Sequence, residues 1–171
     1  MNTDKLDNSQ TLSIFILFIC GLKFFAVFWD SSNLMILFGD LVKLNGRTIF
    51  AGKAEGEALV TSMGISFFGG VDPDTGIILE RGHELEGQSI SGKVLVFPSG
   101  KGSTVGSYTL YRLKRNGKAP AAIVNAECET ITAVGCIIAE IPCVDQIDID
   151  KIEPGTRVMV DAESGLVEMA A

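Results

Sequence analysis

The chain has 171 residues, of which 47% are hydrophobic and 20% are charged, and its formal net charge is −7. This length and composition are typical of one globular domain with a hydrophobic core, and they exclude an intrinsically disordered chain. The negative charge, without any cluster of basic residues, argues against a nucleic-acid partner.

The N-terminal part contains an almost wholly apolar run, LSIFILFICGLKFFAVFW (12–29), close to the minimum length of a membrane span. The preceding segment, MNTDKLDNSQ, has two aspartates and one lysine, unlike the basic start of a secretory signal. Three interpretations stay open: a membrane anchor, a translation start assigned upstream of the true one, or an additional buried helix. We expect residues 1–40 to be a hydrophobic extension, with membrane attachment disfavoured, and residues 41–171 to form the domain.

Short strands separated by glycine follow this extension. VKLNGRTIF predicts a hairpin around the Asn45-Gly46 turn, and GEALVT predicts another strand. In ISFFGGVDPDTGIIL, the DPDTG sequence predicts a tight turn, so we interpret Asp72 as a turn residue. Phe67 and Phe68 are expected in the core or at an interface.

The middle of the chain alternates between strand and helix patterns. GKVLVF, AAIVN and IPCVD predict buried strands, and SYTLYRLKRNG and ETITAVGCIIAE predict helices between them. Gly117 is expected to end the first helix. TRVMVDAESGLVEMA predicts a closing hairpin around Ser164-Gly165. This order predicts a mixed α/β domain with a strand-rich layer, a mixed sheet and two main helices.

The cysteines and the single histidine do not form a recognisable metal motif. Cys20, Cys128, Cys136 and Cys143 include no Cys-x-x-Cys pair, and no histidine lies at ligand spacing, so we expect no metal site on this chain. Cys136 and Cys143 are predicted to be buried thiols of a reducing compartment, which indicates a cytoplasmic protein. His83, in the charged and glycine-flanked RGHELEG, is predicted at the surface.

A glycine-rich sequence, PSGKGSTVGS, connects a buried strand to a helix at residues 98–107, here called the serine loop. It fits neither the phosphate-binding GxxxxGK[ST] order nor the dinucleotide-binding GxGxxG spacing. Such a turn points amide N–H groups at one spot, with the positive end of the helix dipole behind them. The spot would attract a carboxylate, a phosphate or a deprotonated serine hydroxyl. A glycine turn that only allows close packing is an equally weighted alternative.

Several separated motifs together resemble the small, swivel-domain subunit of the aconitase X family. In chain order they are GEALVT, ISFFGGVDPDTG, GKVLVFPSGKGSTVGSYTLYRL, NGKAPAAIV, ETITAVGCIIAEIPCVD and GTRVMVD. The likeness runs from about Leu41 to the C-terminus. It implies a swivelling β/β/α fold that closes over a separate large subunit, which carries a 4Fe-4S cluster through its own cysteines.

The resemblance also implies an activity. The family branch with freestanding small subunits suggests an iron-sulfur hydro-lyase of the mevalonate route to isoprenoids. That enzyme dehydrates (R)-5-phosphomevalonate to trans-anhydromevalonate 5-phosphate. Two alternatives stay open: a dehydratase subunit acting on cis-3-hydroxy-L-proline, and a non-catalytic anion-binding module.

The resemblance assigns the site to the serine loop. The family's Gly-Ser-Ser or Gly-Ser-Thr step matches Gly102-Ser103-Thr104, so Ser103 is the expected proton acceptor. Gly100, Lys101, Gly102, Thr104 and Ser107 are the expected substrate-binding residues, although Thr104 and Ser107 are as well placed to cap the helix. The well-known aconitases have an arginine two residues after the serine. Val105 stands there, so Lys101 or the large subunit would take over its anion-binding role.

Overall fold

The computed structural model describes residues 14–16, 23–30 and 33–170, and it describes side chains from residue 41 onward. Contacts divide the chain into one unit ending at Leu41 and a second unit, Val42–Ala170. In the first unit, β1 (Ile14–Ile16) pairs antiparallel with β2 (Lys23–Asp30), which pairs antiparallel with β3 (Asn33–Asn45).

The structure contradicts one of the three interpretations of the apolar N-terminal run, that of an additional buried helix. Lys23–Asp30 is a strand and not a buried helix. The rest of the question, an anchor or an upstream start, falls largely outside the described residues, as does Cys20. In the part of the chain that the structure describes, no helix has the length and apolar character needed to cross a membrane.

The second unit contains the remaining strands and the helices. The strands are β4 (Arg47–Phe50), β5 (Lys53–Val60), β6 (Ile65–Ser66), β7 (Val94–Phe97), β8 (Gly100–Lys101), β9 (Ala122–Asn125), β10 (Cys143–Asp145), β11 (Arg157–Asp161) and β12 (Leu166–Ala170). The helical elements are the single turn α1 (Phe67–Gly70), then α2 (Gly106–Arg115), α3 (Thr130–Ala139) and a 3-10 turn, Ile149–Lys151.

One mixed sheet organises this unit, in the order β12-β11-β5-β7-β9-β10-β4, with the end of β3 beside β12. The strands β5, β7, β9 and β10 are parallel, whereas β11, β12 and β4 run antiparallel to their neighbours. The two helices connect β7 to β9 and β9 to β10, as crossovers between parallel strands require. The expected mixed α/β fold is therefore confirmed, including the closing hairpin.

The core lies on both faces of the parallel strands because their side chains alternate between faces. In β7, Leu95 and Phe97 pack in the cluster that includes residues of α2 and α3, whereas Val94 and Val96 pack against β11 and β12. All four side chains are fully buried. This arrangement fixes the end of β7, and with it the start of the serine loop.

The predicted hairpin at Asn45-Gly46 is wrong. The strand before it neighbours β12, and β4 pairs with β10 at the other end of the sheet order. The Gly46 amide donates to the Gly165 carbonyl at 2.8 Å, and a Cβ on Gly46 would overlap the Asp145 carbonyl. Gly46 is thus needed for close approach where the two ends of this sheet meet, and not for a two-residue turn.

Candidate active site

The serine loop begins at the carboxyl end of β7 and leads into α2. In sheets with parallel strands, ligands bind at this edge, where loops from neighbouring strands converge. Two residues of the loop, Gly100 and Lys101, form β8, which pairs in parallel with β6. The loop is therefore held by backbone hydrogen bonds on its N-terminal side and by a helix on its C-terminal side.

Glycine is required at two positions of the loop. Gly102 has φ = 97°, in the left-handed region, and a Cβ there would lie 2.7 Å from Ser66 Oγ. A Cβ on Gly100 would overlap the Glu129 carboxylate and lie 2.5 Å from Thr132 Oγ1. Both predicted binding residues thus serve close packing, which brings the loop against the β6 segment and the start of α3.

Ser103 is exposed at the tip of the serine loop, beside backbone N–H groups. Its Oγ accepts a hydrogen bond from the Val105 amide at 3.3 Å. The Gly106 amide donates to the Ser103 carbonyl at 2.8 Å and not to Ser103 Oγ. Within the described residues, the amides of Ser103 and Thr104 have no acceptor. These amides are available to an anion that approaches the loop from outside.

The hydroxyls of Thr104 and Ser107 differ in their surroundings. Thr104 is exposed, whereas Ser107 is buried and donates through its Oγ to the Thr104 carbonyl at 2.9 Å. The N-cap of α2 is Val105, and no side chain caps it. Thr104 and Ser107 therefore do not cap the helix, and the Ser107 hydroxyl hydrogen is already used within the loop.

The charge of Lys101 is shared with an acidic residue that sequence reasoning missed. Lys101 Nζ lies 2.6 Å from Glu80 Oε1. In the same connecting segment, Glu84 accepts hydrogen bonds from the Ser62 and Thr61 hydroxyls, both at 2.6 Å, at the end of β5. These bonds, that of Ser62 first, hold the pKa of Glu84 below its usual value. The segment between β6 and β7 thus ties the serine loop to the neighbouring strand end.

His83 lies in this segment and is buried, so its predicted surface position is wrong. Its side chain is 4% exposed, and Nδ1 accepts from the Leu85 amide at 3.1 Å. Leu85, two residues later, is also buried in the core. The charged neighbours of His83 suggested a solvent-exposed position. However, His83 and Leu85 are two residues apart with a charged residue between them, and this alternation was the signal that both side chains face the interior.

Two aromatic residues beside the loop have opposite roles. Phe67 is buried and packs edge-on against Phe97, with ring centroids 5.9 Å apart. Phe68 is 54% exposed, and its amide N lies 3.6 Å from the position of a Cβ on Gly106.

Asp72 forms the predicted turn, accepting from the Thr75 hydroxyl at 2.6 Å and from the Gly76 amide at 2.8 Å.

The N-terminus of α3 supports the other side of the loop. Glu129 caps this helix, accepting from the Thr132 amide at 2.8 Å and from the Ile131 amide. The same carboxylate packs against Gly100. A glutamate before Thr-Ile-Thr is a weak capping signal, so this cap could not be predicted from the sequence.

The described cysteines are poor candidates for cluster ligands. Cys136 and Cys143 are fully buried, as predicted, and Cys128 is half-buried against the same core. A hydrogen bond with Cys143, together with burial, raises the pKa of the Cys128 thiol. Metal ligation requires thiolates. Among residues 41–170, no group of three or more His, Cys, Asp or Glu side chains is arranged to hold a metal ion.

Comparison with known proteins supports one family. The family model described as the aconitase X swivel domain matches residues 43–169. A protein of Thermococcus onnurineus named phosphomevalonate dehydratase small subunit is 59% identical over 128 residues, which cover 75% of this chain and 98% of that protein. A protein of the same name from Methanosarcina acetivorans is 55% identical over 131 residues, 75% of this chain and 91% of its own.

Solved structures agree with this assignment. The crystal structure of Thermococcus kodakaraensis aconitase X in its holo-form superposes with a TM-score of 0.74 at 57% identity, over 75% of this chain and 98% of that one. The solution structure of a UPF0107 protein gives a TM-score of 0.69 at 52% identity, with the same two coverages. Fold, motifs and identity lead to the same result: the chain belongs to the aconitase X swivel-domain family.

Proposed function

We propose that this chain is the small subunit of a two-subunit hydro-lyase that dehydrates (R)-5-phosphomevalonate to trans-anhydromevalonate 5-phosphate. The observation that carries the proposal is the identity of 55–59% to proteins named phosphomevalonate dehydratase small subunit, over nearly the whole length of those proteins. The exposed hydroxyl of Ser103, next to a backbone amide, is the chemical feature that such a role needs.

In the proposed reaction, Ser103 Oγ takes a proton from the carbon alpha to the substrate carboxylate. The electron pair of that C–H bond becomes the double bond, and the hydroxyl group leaves the neighbouring tertiary carbon. A serine hydroxyl has a pKa far above neutral, so its anion must be stabilised. The Val105 amide, at 3.3 Å, and the positive end of α2 supply part of this stabilisation once the site is closed to water.

The substrate's anionic groups need further partners. The free amides of Ser103 and Thr104 can donate hydrogen bonds to one oxygen of the substrate, and Thr104 can add its hydroxyl. Lys101 can also donate to a carboxylate or phosphate, but Glu80 already neutralises part of its charge. Val105 provides no charge, so we assign the remaining anion recognition to the large subunit.

The large subunit also holds the iron-sulfur cluster in this proposal, because Cys136 and Cys143 are buried and the described residues include no group of side chains arranged to hold a metal ion. When bound there, the cluster supplies the Lewis acid that the departing hydroxyl requires. The small subunit contributes the base and the closure of the site. We further propose that the assembled enzyme acts in the cytoplasm.

The test is an assay of the reconstituted pair. The full chain is co-purified with the large dehydratase subunit of the same organism and given (R)-5-phosphomevalonate and cis-3-hydroxy-L-proline in parallel. We expect dehydration of the phosphomevalonate alone. Turnover of only the hydroxyproline would replace the substrate, and turnover of neither by an assembled pair would favour a non-catalytic module.

A further inference from the structure

The outer faces of α2 and α3 expose large apolar side chains. Those of α2 are Tyr108 and Tyr111, and those of α3 are Val134, Ile137 and Ile138. Tyr108 is 67% exposed and Ile137 50% exposed. Spacings of three and four residues place each set on one face of its helix. We call these five residues the apolar strip.

The two helices that carry the apolar strip pack directly against each other. They touch at Gly135, where a Cβ would overlap Leu110 Cδ1 and lie 3.2 Å from Ser107 Cα. Val134 is the immediate neighbour of this contact residue in α3, and Tyr111 is the neighbour of Leu110 in α2. The exposed apolar side chains therefore lie on two helices that are in direct contact with each other.

The apolar strip continues into the candidate active site. Val105, 43% exposed, lies one turn before Tyr108, and its amide binds Ser103 Oγ. Phe68, also exposed, lies beside the first turn of α2. A protein that covers Ser103 from the α2 side therefore also reaches the start of the strip.

Positive charge borders the apolar strip. Among the cations of α2 and the residues that follow it, Arg112 pairs with Asp74 and Lys114 donates to the Glu140 carbonyl. Arg115 has no carboxylate within ion-pair distance in the described part of the chain. Arg115 follows Tyr111 by four residues, on the same side of the helix. A partner surface that fits here is apolar at its centre and carries an acidic group opposite Arg115.

We propose that the apolar strip is the surface on which the large subunit docks. This inference rests on the proposed function, since the relatives are named small subunits and their role requires a larger partner. Contiguous apolar patches bordered by charge mark protein interfaces. The continuity of the strip with the serine loop selects the large subunit over a second copy of this chain, because only the large subunit must reach Ser103.

The experiment measures association and not turnover. The full chain and its Ile137→Glu variant are titrated against the purified large subunit by calorimetry, with thermal unfolding as a check on folding. We expect the Kd to rise at least about thirtyfold, as for a residue central to an interface. Leu79→Glu, an equally exposed apolar position outside the strip, is the matched control and should change Kd by less than about threefold.

The outcomes separate this inference from the proposed function. An unchanged Kd for Ile137→Glu, or no binding by the wild-type chain, would overturn the docking surface. Loss of self-association in Ile137→Glu, with normal binding to the large subunit, would assign the strip to a second copy. A pair that assembles through the strip but dehydrates neither substrate would instead reject the function and leave the docking surface intact.

Discussion

Cys128 and Cys143 illustrate how individual residues respond to the fold. The pKa of Cys128 is raised by its hydrogen bond with Cys143 and by burial. For Cys143, the hydrogen bond with Cys128 lowers the pKa. The hydrogen bond with Cys136 and burial raise it by more, so the net shift of the Cys143 pKa is upward. Both thiols are therefore protonated in the folded chain at neutral pH.

These shifts predict a loss of stability at alkaline pH. A thiol whose pKa is raised on folding stabilises the native state below its unfolded pKa, about 8.5, and this contribution is lost as the pH rises beyond that value. We expect the free energy of unfolding to fall above that pH by roughly 1 kcal/mol per pH unit.

Chemical unfolding measured from neutral to alkaline pH checks this expectation. A chain carrying Cys128→Ala and Cys143→Ala loses both titrating groups, so its stability should depend less on pH than that of the wild type. Parallel pH profiles for the two chains would show that the thiols do not contribute.

At the residue scale, the sequence predicted the position of the serine loop better than the surroundings of single side chains. Ser103 and the glycines around it could be recognised because strand, loop and helix signals follow one another directly. The burial of His83 and the Lys101–Glu80 pair could not be read, because both depend on where a connecting segment of irregular structure lies. No periodic pattern specifies that position.

At the element scale, α3 supports the serine loop through its cap. Glu129 satisfies amides at the start of α3 and packs against Gly100. Removing the carboxylate should both weaken the helix end and loosen the loop. We predict that Glu129→Ala lowers the free energy of unfolding by about 1 kcal/mol, as for other N-cap losses, and also lowers kcat of the assembled pair.

The matched variant for this prediction is Glu129→Asp. Aspartate is a favoured N-cap residue, so it should restore most of the stability but less of the packing against Gly100. Denaturant unfolding and turnover are measured on the same preparations. Stability and kcat at wild-type values in Glu129→Ala would show that the cap supports neither the helix nor the loop.

The elements themselves were largely predictable. The buried strands β7, β9 and β10 are short apolar runs, and α2 and α3 lie between them with helical spacing. Asn45-Gly46 was misinterpreted because the same dipeptide suits a tight hairpin and a close backbone approach. Only the pairing of β4 with β10, nearly a hundred residues away in sequence, separates these possibilities.

At the scale of the whole molecule, the serine loop and the apolar strip of the second unit are joined through α2. The parallel strands bring the serine loop to their carboxyl edge, and α2 carries the apolar strip away from the same loop. Under the proposed function, this domain would supply the base and a docking surface, and the large subunit would supply the remaining anion-binding groups. Such a division would account for an acidic chain with no metal motif in its sequence that is similar to proteins named dehydratase small subunit.

The central claim is that Ser103 removes the proton, and turnover of the pair carrying Ser103→Ala tests it most directly. The variant should bind the large subunit with normal affinity, while its kcat falls at least about a hundredfold, as expected for a lost general base. Ser99→Ala, in the same loop, should stay near wild type. A Ser103→Ala pair that turns over at a near-normal rate would contradict the account.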